Sequence, residues 1–448
     1  MPAIKILGLF CGTLFLLQVI HAQDTTQVKN KDKVEKIKAG WSFGAVPAIA
    51  YDTDIGFKYG GVVNLYHYGD GSHYPQYDHS IYLEWSRTTK GSGINQFIYD
   101  SEYLIPKVRL TVEASLLTEK ALDFYGFNGY KAYYNNNFTD DTHPDYISRV
   151  YYKQERSLTR LKAEFVGKHI GDHVKWFSGV AYYGNKISSV DIDALNEGQD
   201  PKDRLPDTAL LYDQYISWGI IPDDQVDGGS TTLLKFGLVY DTRDNEPNPM
   251  KGLWSDIQLI AAPSFLGNEY AYSRIALTHR QYFTLAPKIL SLAYRLSYQG
   301  KIGGEMPYYM LPFVYNMPPY VTRDGLGGAK TIRGVLRNRI VGEDFVYGNI
   351  ELRWKFYRNV IFNQNVYLAL ATFLDGGQIT GFYTPDKTGV PDAYKYLFPD
   401  VPEKLHMSYG AGLHVAINQN FILSADYGRA IDPRDGDSGF YIGLNFLF

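Results

Sequence analysis

Apolar and polar residues alternate along most of the sequence after Trp41. In the segment 290–299, every even position holds leucine or tyrosine, and every odd position holds serine, alanine, arginine or glutamine. A period of two places these two sets on opposite faces of a β-strand. Strands with one apolar face and one charged face are typical of a membrane barrel, in which the apolar face meets lipid and the charged face lines the lumen.

The alternation predicts sixteen strands, an even number that is usual for single-chain bacterial barrels. The predicted fold class is therefore all-β, a 16-stranded antiparallel transmembrane β-barrel. The strands are predicted to start near Trp41, Asp54, His79, Gly93, Lys107, Glu155, His173, Thr232, Leu253, Tyr270, Ile289, Phe345, Asn365, His406, Phe421 and Gly439.

The predicted connections differ in length at the two ends of the barrel. The longest ones all join an odd strand to the following even strand: 119–154, 186–230, 302–344 and 380–405. Most even-to-odd connections are tight, and the connection 66–78 is the exception. Long outer loops and short periplasmic turns indicate an outer-membrane barrel with both ends of its chain in the periplasm.

The first residues have the layout of a secretory signal peptide. Lys5 supplies a positive charge, an apolar run extends from Ile6 to Ile20, and His21-Ala22 offers a small-residue cleavage site. The run is too short to span a bilayer as a helix. We expect residues 1–22 to be removed, residues 23–40 to form a flexible periplasmic tail, and residues 41–448 to form the barrel.

Composition narrows the classes of protein that fit. The single cysteine lies in the predicted signal peptide, so the exported barrel would be held by strand hydrogen bonds without disulfides. Tyrosine is abundant at 39 residues, as aromatic girdles require, and the net charge of −4 gives no reason to expect nucleic acid. Neither a hydrolase nucleophile motif nor the ligand spacing of a metal site is present, so we predict no enzymatic activity, no cofactor and no metal.

The end of the sequence alternates large apolar residues with small or polar ones. The residues predicted to face outward are Phe440, Ile442, Leu444, Phe446 and Phe448, with Tyr441, Gly443 and Asn445 inward. This strand looks like the C-terminal signal by which outer-membrane barrels are recognised for assembly, and Phe446 and Phe448 are its candidate residues. The alternative is an ordinary last strand, although such a strand in water would be prone to aggregation.

A glycine-rich loop, Gly327 to Arg339, lies between predicted strands eleven and twelve and contains Arg333-Gly334. It resembles the Arg-Gly motif of the BamA/TamA superfamily, of the bacterial surface antigen type, and the run from Phe373 to Gly377 is similar to the family's Phe-x-Asp-x-Gly pattern. The resemblance is strongest over residues 232–448. It implies that the loop inserts into the lumen and that its arginine meets acidic residues on the inner wall. One departure is Val335, where the family usually has an aromatic residue.

The phase of the neighbouring strands supplies two carboxylates for this arginine. Glu351 and Asp375 alternate with apolar positions, so both are predicted to face the lumen. A guanidinium is suited to bidentate pairing with carboxylates, and such pairing would hold the loop in place. We therefore predict a plug-loop clamp formed by Arg333, Gly334, Glu351 and Asp375, with Phe373 and Gly377 as family-motif residues. The alternative is that Arg333 is a solvated loop residue.

The first and last strands suggest a weak seam. Pro47 removes one backbone donor from the first strand, and Gly439 and Gly443 leave the last strand with few side chains for packing. The seam could open sideways towards lipid, as is proposed for insertases of the family. The alternative is a harmless bulge at the start of a closed barrel.

The resemblance implies insertion, assembly or translocation of proteins at the outer membrane of a Gram-negative bacterium. The expected partners are outer-membrane lipid, unfolded outer-membrane or secreted proteins, and periplasmic accessory proteins. With only residues 23–40 ahead of the first strand, we expect a short member that lacks periplasmic POTRA domains, which leaves open how a substrate is captured. The alternative is a passive pore or a structural surface barrel, which predicts steady conductance and indifference to Arg333→Ala.

Overall fold

The computed structural model describes residues 36–52, 56–170, 173–318 and 325–448. The predicted signal peptide, residues 1–22, and residues 23–35 of the predicted tail lie outside this part of the chain.

In the described residues, seventeen strand segments form one antiparallel sheet, and the first two belong to one interrupted strand, so the sheet has sixteen strands and confirms the predicted fold class. They are β1 (Trp41–Pro47 and Ala50–Asp52), β2 (Gly56–His67), β3 (His79–Thr88), β4 (Gly93–Ile105), β5 (Val108–Asp123), β6 (Lys153–Ile170), β7 (Val174–Ser188), β8 (Gly228–Asp241), β9 (Gly252–Ala262), β10 (Tyr272–Ala286), β11 (Leu290–Gly304), β12 (Asp344–Ile361), β13 (Gln364–Gly381), β14 (His406–Ile417), β15 (Phe421–Ala430) and β16 (Ser438–Leu444). The largest shift from the predicted starts is at β8, predicted near Thr232 and observed from Gly228.

Each strand pairs with its neighbours in chain order. Both segments of β1 pair with β2, and the ladder between them is interrupted just after Pro47. In the described part of the chain no backbone pairing joins β16 to β1, but side chains bring the two ends of the sheet together. Phe421 of β15 lies directly over Gly44 of β1, and the Tyr66 hydroxyl of β2 donates to the Asn420 carbonyl at 3.0 Å. The sheet therefore curls back on itself.

The alternation along the strands separates an outer from an inner face, as predicted. In β11 the polar positions from Ser291 to Gln299 are buried, whereas Leu296 is 55% exposed. In β12 Ile350, Leu352 and Trp354 are exposed, and Glu351 and Arg353 between them are buried. The exposed apolar face is the one that meets lipid, and the lumen is lined by charged and polar side chains.

The long connections lie together at one end of the barrel, called here the loop end; the opposite end is the turn end. The loop-end connections contain helices α1 (Ile192–Asn196) and α2 (Leu211–Ser217) and short 3₁₀ turns at Gly129–Lys131, Asn136–Thr139, Pro201–Asp203, Asp223–Gln225, Ser264–Leu266, Tyr308–Met310, Asp392–Leu397 and Pro433–Asp435. Among the described residues, no helix is both long and apolar enough to span a bilayer. Aromatic and aliphatic residues of four connections pack into one apolar cluster that caps the loop end, among them Phe124, Tyr152, Tyr215, Tyr308 and Leu397.

The end of the chain corrects one prediction. The last strand stops at Leu444, and Asn445 has a φ of 67°, which ends the extended backbone. Phe446 and Phe448, predicted to face outward, are only 4% and 2% exposed. They turn into the lumen, where the Phe446 ring stacks on His414 with centroids 4.2 Å apart. The prediction was wrong because side chains alternate between the outer and inner faces only as far as the strand extends, and the strand ends before Phe446.

Candidate functional site

The connection between β11 and β12, residues 305–343, runs through the lumen and is called here the plug loop. Near its start, the Tyr315 backbone pairs with the Gln299 side chain through bonds of 2.7 and 3.0 Å. Met317 is fully buried farther round the wall, against Val239 of β8 and Trp254 of β9. The later part, residues 325–341, packs against β12 to β16. The described parts of the plug loop thus contact two walls of the barrel.

Arg333 sits at the centre of the later part and is fully buried. Its Nε lies 2.9 Å from Asp375 Oδ2, its Nη2 lies 3.0 Å from Asp375 Oδ1, and its backbone N–H donates to the same carboxylate at 3.1 Å. The guanidinium therefore meets Asp375 through both of its edge donors, which is the strong bidentate geometry for this pair. Asp375 is placed by β13, on whose inward face it was predicted.

Glu351, on the inward face of β12, is shared by two arginines. Its Oε1 lies 2.8 Å from Arg333 Nη2, and its Oε2 lies 2.7 Å from Arg353 Nη2. Arg353 in turn donates to the backbone carbonyl of Phe448 at 2.8 Å. The structure thus brings together Arg333, Glu351 and Asp375, and extends the chain of contacts to the residues that follow β16.

Phe373 adds an aromatic surface to the cluster. The Arg333 Cζ lies 3.4 Å from the centroid of the Phe373 ring, within reach of a cation–π contact. The tip of the ring reaches Gly410 of β14, where a Cβ would lie 2.4 Å from Phe373 Cζ. The ring therefore contacts both a glycine of the wall and the guanidinium of the plug loop.

The glycines of the two motifs allow close packing. Gly334 has a φ of 94°, and a Cβ there would lie 2.6 Å from the backbone of Gly428 in β15. A Cβ at Gly377 would lie 2.7 Å from Ile332 Cδ1. Gly334 needs glycine because its φ is positive and the plug loop runs directly against the backbone of the wall, whereas a side chain at Gly377 would have to displace Ile332.

Three further residues hold the plug loop and were not singled out from the sequence. Asp426 of β15 lies 3.6 Å from Arg333 Nη1, and Asn349 of β12 donates to the Thr331 carbonyl at 2.7 Å. The Tyr441 hydroxyl of β16 accepts from the Gly334 N–H at 2.9 Å. Tyr441 was predicted to face inward, and the phase of β15 would have placed Asp426 inward as well. The alternation along each strand therefore indicates which residues face the lumen. It does not indicate which of these residues contact the plug loop.

The cluster keeps its arginine charged. Burial alone would lower the pKa of Arg333, but the Asp375 and Glu351 carboxylates raise it above its usual value. Two guanidiniums, Arg333 and Arg353, face three carboxylates without solvent. Removal of Arg333 would leave the buried Asp375 carboxylate without this bidentate partner, which is costly. The arrangement is suited to fastening a segment rather than to transforming a substrate.

Val335, which replaces the family's aromatic residue, is buried in a small apolar cluster. Its neighbours there include Leu326, Ile332, Ile340 and Phe345. In this protein the plug loop therefore contributes aliphatic side chains to the cluster, and Phe345 and Tyr347 of β12 contribute the aromatic ones.

The predicted seam residues each pair with the neighbouring strand on their own side of the seam. Pro47 pairs with Gly61 at the end of the first segment of β1. Gly439 lies opposite Gly428 and Gly443 lies opposite Ser424, both in the pairing of β16 with β15. Pro47 thus marks a break in its own strand, whereas the two glycines lie within a continuous ladder.

No curated protein matches the sequence. Similar solved structures include BamA from Haemophilus ducreyi lacking POTRA domains 1–3, with 15% identity, a TM-score of 0.48 and coverage of 94% of this chain and 74% of that one. CdiB from Acinetobacter baumannii has 12% identity, a TM-score of 0.46 and coverage of 92% and 61%. A bacterial polysaccharide outer membrane secretin has 7% identity, a TM-score of 0.36 and coverage of 90% and 94%. The Omp85 superfamily domain matches residues 128–448, most of the chain and all of the arginine cluster, and the protein therefore belongs to the Omp85 superfamily.

Proposed function

We propose that this protein inserts, assembles or translocates other proteins at the outer membrane, and that its plug loop holds the resting barrel closed. The observation that carries the proposal is the buried cluster around Arg333, which ties the plug loop to β12, β13, β15 and β16 at once. A barrel that served as a passive pore would gain nothing from a fully buried ionic fastening across its lumen.

Membership of the Omp85 superfamily supports this proposal. An Omp85 protein is an outer-membrane barrel of a Gram-negative bacterium and is not an enzyme. β1 begins and β16 ends at the turn end. We infer that the turn end faces the periplasm and that the loop end faces outward. Unfolded proteins at the outer membrane are the substrates that we propose for this member of the family.

The seam between β1 and β16 is where a substrate strand would enter. A strand edge without a backbone partner can pair with an added strand, which supplies main-chain hydrogen bonds to both. On the lumen side β16 is held by the plug loop, since Tyr441 bonds to Gly334 and Lys330 Nζ donates to the Leu444 carbonyl at 3.0 Å. Release of the plug loop would therefore free the last strand as well as the lumen.

A disulfide across the seam tests the proposal. The Cβ position of Gly44 lies 2.4 Å from Phe421 Cγ, so Gly44→Cys with Phe421→Cys places two thiols within bonding reach between β1 and β15. A matched control is Thr278→Cys with Ser297→Cys, an inward pair of β10 and β11 whose hydroxyls are 3.1 Å apart. The readout is the outer-membrane protein content of host cells that depend on the variant, with and without reductant.

We expect the oxidised seam pair to deplete outer-membrane proteins, reductant to restore them, and the control pair to have no effect. Full activity with the seam locked would exclude lateral opening. Unchanged outer-membrane content in cells that lack the protein altogether would exclude assembly and favour the structural barrel.

A further inference from the structure

Two connections at the turn end are longer than tight hairpins and lie across the opening. They are residues 68–78, between β2 and β3, and residues 242–251, between β8 and β9. The sequence marked the first as an exception to the short turns. Together they are called here the floor.

The first floor segment reaches the strands on the far side of the seam. Asn420, between β14 and β15, donates to the Tyr68 hydroxyl at 2.9 Å and to the Pro75 carbonyl at 2.5 Å. Asn365 of β13 donates to the Tyr74 hydroxyl at 3.0 Å. The segment therefore passes over β1 and β16 on the inside and is fastened beyond them.

The second floor segment reaches the same strands from the opposite direction. Asn248 donates to the Tyr367 hydroxyl of β13 at 2.6 Å, and Asn245 donates to Gln419 at 3.1 Å. Asn248 and Tyr367 are 5% and 6% exposed, so this contact lies inside the barrel. Three strands, β10 to β12, lie between β9 and β13, and the contact consequently spans the opening as a chord.

Arg109, on the inward face of β5, joins the two floor segments. Its guanidinium lies 2.6 Å from Asp100 of β4, 2.6 Å from Glu246 of the second segment and 3.0 Å from the Tyr77 hydroxyl of the first. Its side chain is 8% exposed. One buried cation thus fixes both segments to the wall opposite β13.

These contacts form a closed circuit around the inside of the opening, from β4 and β5 through both floor segments to β13, β14 and β15. A barrel of 16 strands encloses an aqueous channel unless its interior is filled. Buried amides and hydroxyls are costly to leave unbonded, so the circuit resists partial opening. The circuit shares no residue with the cluster around Arg333.

We propose that the floor is a second closure of the lumen at the periplasmic end, independent of the plug loop, and that both closures must move before the lumen conducts. Release of Arg333 alone then leaves the barrel sealed. The proposal does not depend on the identity of the substrate, and it would hold for a structural surface barrel that transports nothing, but not for a pore that conducts steadily.

Conductance in planar bilayers tests the two closures separately. In the first variant, residues 68–78 are replaced by Asn-Gly, because His67 and His79 are paired in register and a two-residue turn can join them. The second variant is Arg333→Ala, and the third combines the two changes. We expect the unmodified protein and both single variants to conduct poorly, and the combined variant to conduct about tenfold more or better. A single variant that conducts as well as the combined one, or a combined variant that stays closed, would overturn the proposal.

Labelling of a lumenal cysteine provides a second readout that does not need ion flow. Ser115 lies on the same inward face as Arg109, farther from the turn end, and is 5% exposed. Ser115→Cys should react with a water-soluble maleimide about tenfold faster when the floor segment is replaced, even with Arg333 intact, because water then reaches it from below.

A second floor variant changes side chains only, so that an effect on labelling does not depend on removal of a chain segment. Asn248→Ala with Asn420→Ala removes three of the cross-lumen bonds and leaves the backbone unchanged. Ser72→Ala, at the exposed tip of the first segment, is the matched control. We expect faster labelling of Ser115→Cys in the double alanine variant and no change in the control. Equal labelling in all of these proteins would show that the floor does not close the lumen.

Discussion

The guanidinium of Arg333 lies over the Phe373 ring, with its Cζ 3.4 Å from the ring centroid, while its donors engage Asp375 and Glu351. A planar cation can stack on a ring and fork between two carboxylates at the same time. A lysine ammonium has one donor centre and cannot reproduce both contacts. The geometry therefore requires arginine rather than positive charge alone.

Replacement of Arg333 by alanine should loosen the plug loop. The change leaves Glu351 and Asp375 buried with fewer positive partners, a loss that typically costs about 3–5 kcal/mol. We expect Arg333→Lys to recover only part of the lost stability. The measurement is the temperature at which the folded barrel converts to the unfolded band on electrophoresis, together with protease cleavage within residues 325–341.

Arg434→Ala is the matched control for this change. Its side chain is 45% exposed and pairs with Asp432 at the loop end, where an ion pair contributes less than about 1 kcal/mol. We expect little change in either measurement. If Arg434→Ala loosened the barrel as much as Arg333→Ala, the cluster would not be the principal fastening of the plug loop.

A double-mutant cycle should show direct coupling between Arg333 and Asp375. Arg333→Met alone strands the Asp375 carboxylate, whereas Arg333→Met with Asp375→Asn removes both charges. The double variant should therefore lose less stability than the sum of the single losses, by about 1–3 kcal/mol. Asp123→Asn, whose partner is Lys153 at the loop end, should instead be additive with Arg333→Met. Additivity in both cycles would contradict the pairing.

Gly334 should be as sensitive as its neighbour. Alanine there would combine a φ of 94° with a Cβ 2.6 Å from the backbone of Gly428, so the plug loop would have to move away from β15. Gly267→Ala separates the two effects, because its φ is 80° but no atom lies within 4 Å of the added Cβ. We expect Gly267→Ala to cost about 1–2 kcal/mol without exposing the plug loop to protease. Equal effects of the two variants would mean that backbone conformation alone accounts for Gly334.

Strand phase is the property that could be predicted from the sequence. Alternation is local, so it gave the sixteen strands and the inward direction of Glu351, Asp375 and Tyr441. It could not give the break in β1 after Pro47 or the inward path of Phe446 and Phe448. These depend on where a strand stops and on what the chain meets next.

The contacts between distant segments could not be predicted either. Asp426 and Asn349 meet the plug loop because three-dimensional packing brings them there, and no sequence spacing encodes it. The same holds for the floor, whose first segment was visible only as a connection of unexpected length. Motif glycines such as Gly334 were the best local indication, since a glycine requirement implies a close approach of the backbone.

The aromatic residues after β16 allow two roles to be separated by experiment. Phe446 stacks on His414, and the Arg353 guanidinium lies 4.5 Å from its ring centroid. Truncation of a buried phenylalanine usually costs about 3–5 kcal/mol, so Phe446→Ala should lower the thermal stability of barrels that have already assembled. Phe440→Ala, on the lipid-facing side and 59% exposed, should affect that stability much less.

An assembly signal makes a different prediction for the same variants. If Phe446 and Phe448 are recognised before folding, their alanine variants should reach the membrane in lower amounts, while the fraction that does assemble melts at the normal temperature. The lumenal position of the two rings leads us to expect a lower melting temperature of the assembled fraction. Unchanged melting with reduced yield would show that these residues act during assembly and that their packing against Arg353 contributes little.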